Sequence, residues 1–242
     1  MKTRFFIFAA LAAAFLCSCG ANPPEQPSKP ALEPTLLPNK IDLVVGDSVN
    51  MSSVNCTITR WEIADNFIAA TDDDVNDGII YGVHVGKTEL IAYYNVNDSV
   101  EASLKAEISV KGSFDLFTDP NTNFSLTAEK LQEAIGSATK DMQEDAYRTL
   151  VYGDIDKDKY IVCYDYFNDH LIEIRVCFPD LTSEDKLDEL VDFLLERYEE
   201  HPTAAYSFIN AYDVEDADLN ITLKTDKVFG KPVVVVSYTS AL

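Results

Sequence analysis

Catalysis in this chain would have to be built from three histidines and a large pool of carboxylates. His84 falls on a strand-like run, His170 beside a hairpin turn and His201 at a helix end. Imidazoles in such places are more often structural or solvated than general bases. No H-E-x-x-H, G-x-S-x-G, C-x-x-C or P-loop spacing occurs. Carboxylate pairs of the glycosidase kind are too abundant for one pair to stand out. Asp154-Ile155-Asp156-Lys157-Asp158 offers the alternating oxygens of half a calcium loop. Lys159 stands where that loop needs Gly and Asp165 where it needs Glu, so a charged turn explains it better. The acidic stretch at 72–77 meets no ligand spacing and reads as a solvated turn. No catalytic residue, metal or cofactor is therefore assigned.

Recognition chemistry has a more definite candidate. The runs Tyr160 to Phe167 and His170 to Phe178 read as a hairpin turning at Asn168-Asp169. A regular two-residue turn pairs Cys163 with Ile174. Strict alternation then places Tyr160, Val162, Tyr164, Tyr166, Leu171, Glu173 and Arg175 on one face. Ile161, Cys163, Ile172, Ile174, Val176 and Phe178 share the other and suit packing under helices. Flat aromatic rings with hydrogen-bonding tips fit a glycan or a protein surface. Tyr160, Tyr164, Tyr166 and Arg175 are the candidate ligand face. The same register sets Cys177 on the face opposite Cys163, which excludes a disulfide between them.

Composition narrows the partners. The 242 residues carry a formal net charge of −22 and a pI near 4.3, with most of the excess acid after Ser113. Nucleic acid and a polybasic membrane grip are both disfavoured, because each needs clustered Lys and Arg. A 47% hydrophobic content with 11% aromatics supports folded cores.

The N-terminus is an address. Lys2 and Arg4 precede an apolar run from Phe5 to Leu16, too short to span a bilayer, then Cys17, Ser18, Cys19 and Gly20. Leu16-Cys17-Ser18-Cys19 resembles a bacterial lipobox. That resemblance implies removal of residues 1–18 and acylation of Cys19, with several acyl chains giving a stable membrane anchor. Cys17 departs from the small residue usual at its position. Residues 19–35 form a Pro-rich linker, and Pro38 follows closely; such density favours an extended stalk.

Between residues 36 and 111 short strand-like runs alternate with turns: Ile41 to Val45, Ser48 to Ser53, Ile58 to Ile63, Phe67 to Ala70, Ile79 to Val83, Thr88 to Tyr94 and Ser103 to Val110. Trp61, the single Trp, lies among the middle strands. Leu43-Val44-Val45-Gly46-Asp47, Trp61-Glu62-Ile63-Ala64-Asp65, Ile68-Ala69 and the spaced Gly78, Gly82 and Gly86 resemble the bacterial immunoglobulin-like domain, group 2. Ala64 replaces the usual Ser. The resemblance implies a β-sandwich used as a surface or adhesion module, often a rigid spacer, without catalysis.

Residues 113–242 read as an α+β domain. A helical stripe runs from Ser125 to Met142 and a second follows Thr182, carried by Leu187, Leu190, Val191, Leu194, Leu195 and Tyr198, with Pro202 as its stop. Three strand-like runs follow each helix: Ala146 to Tyr152, Tyr160 to Phe167 and His170 to Phe178, then Ala205 to Asp213, Leu219 to Thr225 and Pro232 to Tyr238. The expectation is a duplicated α-β-β-β unit, an antiparallel sheet with two helices on one face.

The expected protein is multidomain: an all-β immunoglobulin-like sandwich and an α+β domain on a lipid-anchored stalk, at the outer membrane of a cell envelope. Its expected role is non-catalytic adhesion or ligand binding, with the membrane reached through Cys19. An assembly subunit of an envelope complex is the alternative, and a glycan-processing hydrolase is less favoured. Whether the anchor faces the periplasm or the outside is left open by the sequence.

Overall fold

The computed structural model describes residues 32–72, 78–97, 100–181 and 183–241. The signal, the lipobox with Cys19, most of the acidic 72–77 stretch and Thr182 lie outside them. The first strands are β1 (Thr35–Leu37), β2 (Lys40–Val44), β3 (Ser48–Asn50), β4 (Ser52–Val54) and β5 (Ile58–Ile63). They continue with β6 (Ala69–Thr71), β7 (Ile79–Gly82), β8 (Gly86–Asn97) and β9 (Val100–Lys111). The alternation of β2, exposed at Lys40, Asp42 and Val44 and buried at Ile41 and Leu43, is what a one-sided sheet demands. A four-stranded sheet runs β2-β9-β8-β5 and a three-stranded sheet β3-β7-β6, with β1 pairing β4. Strand β2 joins β9 in parallel; the other pairs are antiparallel. Ile41, Leu90 and Ile108 from the larger sheet meet Ala69 and Ile80 from the smaller in one core, with Trp61 packed against it. Gly78, at φ 54°, has no room for a side chain, since a Cβ would touch the Trp61 ring at 3.0 Å.

The remainder holds α1 (Ala128–Ile135), β10 (Lys140–Glu144), β11 (Tyr147–Tyr152), β12 (Ile161–Phe167) and β13 (His170–Phe178). After these come α2 (Glu184–Leu195), β14 (Glu199–Glu200), β15 (Ser207–Ile209), β16 (Leu219–Val228) and β17 (Lys231–Ser240). The Thr127 hydroxyl caps α1 by accepting the Lys130 N–H. Gly136, at φ 97°, ends it six residues before the expected Met142. The released segment becomes the edge strand β10, exposed along its whole length. Arg148 on β11 then ties three elements together, with two donors on Asp141 of β10 at 2.9 and 3.0 Å and a third on Glu129 of α1.

Each helix is thus followed by four strands, one more than the expected three. The first additional strand is β10; the second is the two-residue β14. The sheet order, β10-β11-β12-β13-β17-β16-β15-β14, makes two antiparallel meanders whose last strands, β13 and β17, pair at the centre. Leu131 of α1 and Leu190, Phe193 and Leu194 of α2 share one core with Tyr164, Ile174, Val236 and Tyr238 of the sheet. Both helices therefore cover the same face. A smaller core lies on the opposite face, where Ile155 from the β11–β12 connection and Val228 at the β16–β17 hairpin close over Val151, Ile161, Cys163, Cys177, Val233 and Val235.

From Pro34 onward the chain forms one compact unit. Its two larger cores are joined around Glu196, at the end of α2. The Glu196 carboxylate accepts the Ser113 N–H at 2.8 Å and the Phe114 N–H at 3.3 Å, and its backbone carbonyl accepts the Val85 N–H. A Cβ on Gly112 would overlap that carboxylate. Nearby, the buried His84 ring stacks on Phe67 at 4.0 Å and lies 2.7 Å from the Phe67 carbonyl, with Glu199 on its other side at 3.5 Å.

Candidate interaction face of the eight-stranded sheet

The tyrosines of the expected ligand face do share a face, but it is the one beneath the helices. Tyr164 and Tyr166 are buried. Their neighbours show why: the segment 113–127 and α1 lie across them and use their hydroxyls. The Tyr160 hydroxyl accepts the Thr118 N–H at 3.2 Å and the Tyr164 hydroxyl the Asn121 N–H at 3.0 Å, while Tyr152 donates to the Gly136 carbonyl. These rings fasten a connecting segment to the sheet. Tyr166 has the same surroundings with no hydrogen-bond partner for its hydroxyl, and burial pushes its pKa up to about 12. An open binding surface made of Tyr160, Tyr164 and Tyr166 is therefore excluded by what packs on them.

Arg175 leaves this group altogether. The turn forms at Asn168 and Asp169, with φ 49° and 63°, and Tyr166 faces Leu171 as a two-residue turn requires. Then the pairing slips: Asp165 faces Glu173, so Ile172 is an extra residue, a β-bulge. One inserted residue reverses every later side chain relative to the regular register. Tyr164 pairs Ile174 and Cys163 pairs Arg175. Glu173, Arg175 and Cys177 consequently join Cys163 and Asp165 on the face away from the helices. Ile174, Val176 and Phe178 take their places in the helix-side core.

On that outer face the charged residues form a ladder of two hydrogen-bonded groups. Arg175 donates to both Asp165 oxygens, at 2.6 and 3.0 Å, and the Thr149 hydroxyl donates to the same carboxylate at 2.6 Å. Burial alone would lower the Arg175 pKa, but the bonds to Asp165 outweigh it and hold the guanidinium above its ordinary value. Glu173 accepts from Lys224 at 2.7 Å and from Ser237. Burial pushes the Glu173 carboxyl up, and those two donors more than reverse it, leaving it below the usual range.

Beside the ladder, at the β11–β12 end, lie large apolar side chains in water. Tyr147 and Phe167 face each other across the strands with centroids 4.8 Å apart and exposures of 60% and 39%. Met142 on β10 and Ile172 in the bulge are also exposed. No protein-family model matches this chain, and none of the curated proteins is similar to it. The face is thus described by its own chemistry: an aromatic pair flanked by half-buried, mutually neutralised charges. Sequence alternation pointed to Phe167 only as a strand end, and nothing in the residue order marks Ile172 as a bulge.

Among the described residues no group of His, Cys, Asp and Glu is arranged to hold a metal ion. The calcium-like stretch is a turn closed on itself: Asp154 accepts from the Asp156 N–H and from Lys157, and Asp158 accepts the Asp154 N–H. No described helix is long and apolar enough to cross a membrane.

Proposed function

We propose that this chain is a non-catalytic, lipid-anchored protein of a bacterial envelope that captures a protein ligand. In this reading residues 1–18 are removed, Cys19 carries the acyl chains and 19–35 is the stalk. Residues 36–111 are a group 2 bacterial immunoglobulin-like spacer, and 113–242 is the recognition domain, descended from a duplicated helix-and-meander unit. Support for the anchor is the lipobox-like run; support for the spacer is the Trp61 and glycine pattern. The observation that carries the recognition role is the exposed Tyr147–Phe167 pair beside the Asp165–Arg175 ladder. Exposed aromatics ringed by charges are the composition of protein–protein contacts, where the apolar centre supplies energy and the charges set register. A protein ligand is favoured over a glycan because the charges here are already paired in a fixed pattern that an opposing surface can match.

The test is crosslinking on intact membranes followed by purification of the full chain. Wild type should retain a specific protein partner that Tyr147→Ala with Phe167→Ala loses and Tyr160→Phe keeps. Capture unchanged in the double variant, or selective glycan-array binding without a protein partner, would overturn it. Metabolic labelling with a fatty acid tests the anchor separately, with Cys19→Ala expected to abolish incorporation.

A further inference from the structure

The bulge at Ile172 has brought two thiols together. Cys177 faces Ile161 and Cys163 faces Arg175, so the cysteines are diagonal neighbours on one face of adjacent antiparallel strands. Both are buried, at 1% and 0% exposure, in the small core closed by Ile155 and Val228. The Cys177 thiol lies 3.9 Å from the Arg175 carbonyl. The third described cysteine, Cys56, belongs to the connection between β4 and β5 and shares no core with them.

We propose that Cys163 and Cys177 are a disulfide-forming pair, oxidised by a disulfide reagent while β12 and β13 are still open to solvent. Cys163 gives its proton to solvent, and its thiolate attacks one sulfur of the reagent, displaces a thiolate and forms a mixed disulfide. Cys177 gives its proton to the displaced thiolate, and its sulfur attacks the Cys163 sulfur and releases the second thiolate, which takes a proton from solvent. Two cysteine S–H bonds are lost, one S–S bond forms, and the reagent disulfide is reduced to two thiols. With the strands open neither thiol is buried, and attack by either one first gives the same product. Diagonal partners in a regular ladder lie just beyond disulfide reach, so closure has to shift the backbone of one strand along the other, which is why the step belongs to the open strands.

The sequence makes the test direct, because trypsin cuts at Lys159, Arg175 and Lys186 and puts the two cysteines on peptides 160–175 and 176–186. The reduced, denatured full chain is refolded in oxidised and reduced glutathione, unfolded in alkylating reagent and digested. The expected result is a linked 160–175/176–186 species, lighter than its parts by two hydrogens and split by dithiothreitol, with Cys56 alkylated. Cys163→Ser should leave Cys177 fully alkylated. Native chain treated with glutathione disulfide in mild denaturant is a second route to the same species. Both cysteines alkylated in the wild-type chain by both routes, or either one joined to Cys56 or to a second chain, would overturn the proposal.

Discussion

Asp165 binds Arg175 diagonally across β12 and β13, both guanidinium contacts falling on one carboxylate, at 2.6 and 3.0 Å. The pair exists only because Ile172 is bulged; in a regular hairpin Arg175 would point into the helix-side core. Both side chains are mostly shielded, at 19% and 16% exposure, so the pair is neither a freely solvated surface bridge nor a fully dry one. Arg175→Ala leaves Asp165 with the Thr149 hydroxyl as its side-chain donor. It should destabilise the fold by about 2 kcal/mol, read from urea unfolding, and Asp165→Asn combined with it should cost much less than the two single losses added together.

The bulge makes its own prediction. Removing Ile172 keeps Tyr166 opposite Leu171 and Asp165 opposite Glu173, so every inward and outward assignment survives. The deletion should be tolerated to within about 1 kcal/mol, with Arg175 still paired. Complete loss of cooperative unfolding in the deleted chain would show that the bulge is indispensable to the sheet.

Two adjacent tyrosines on one face should respond oppositely to losing a hydroxyl. Tyr164→Phe strands the Asn121 N–H and should cost about 1 kcal/mol, whereas Tyr166→Phe removes an unpartnered buried hydroxyl and should stabilise by about that amount. Thermal melting of the two variants at neutral pH decides the sign.

Stability should fall at both ends of the pH scale for identifiable reasons. Glu173 is held below the ordinary carboxylate range in the fold, so its contribution is complete above that range and drains away as pH falls through the folded value. Burial raises Tyr166 from 10.0 to about 12, so its ionisation costs the fold nothing below 10 and takes stability away as pH rises through about 12. Denaturant midpoints across pH should show a shallower acid limb for Glu173→Gln and a shallower alkaline limb for Tyr166→Phe.

The joint between the two larger cores rests on a glycine. Gly112→Ala pushes a methyl group into the Glu196 carboxylate, which is held by the Ser113 and Phe114 amides, so one of these contacts has to give. A loss of about 1–2 kcal/mol is expected, together with faster proteolysis near residue 112. Melting and proteolysis rates equal to wild type would mean that the joint yields freely.

Much of this architecture was written in local order. The short β-type runs before residue 111, the turn at Asn168-Asp169 and the apolar stripe of α2 each follow from a few neighbouring residues. Alternation also put Tyr160, Tyr164 and Tyr166 on one face, correctly. What local order did not contain was the cover over that face, because the hydroxyl partners Thr118 and Asn121 lie 42 and 43 residues away in the chain. Nor did it contain the bulge. Whether Ile172 takes a pairing position or is skipped depends on which side chains the helices and β17 accept, and Ile174, Val176 and Phe178 fill that core better than Glu173 and Arg175. Burial energetics across the whole sheet therefore decided the register. With it came the outward ladder and the meeting of Cys163 with Cys177, while the sequence by itself determined the turn, the acidity and all the longer strands except β10.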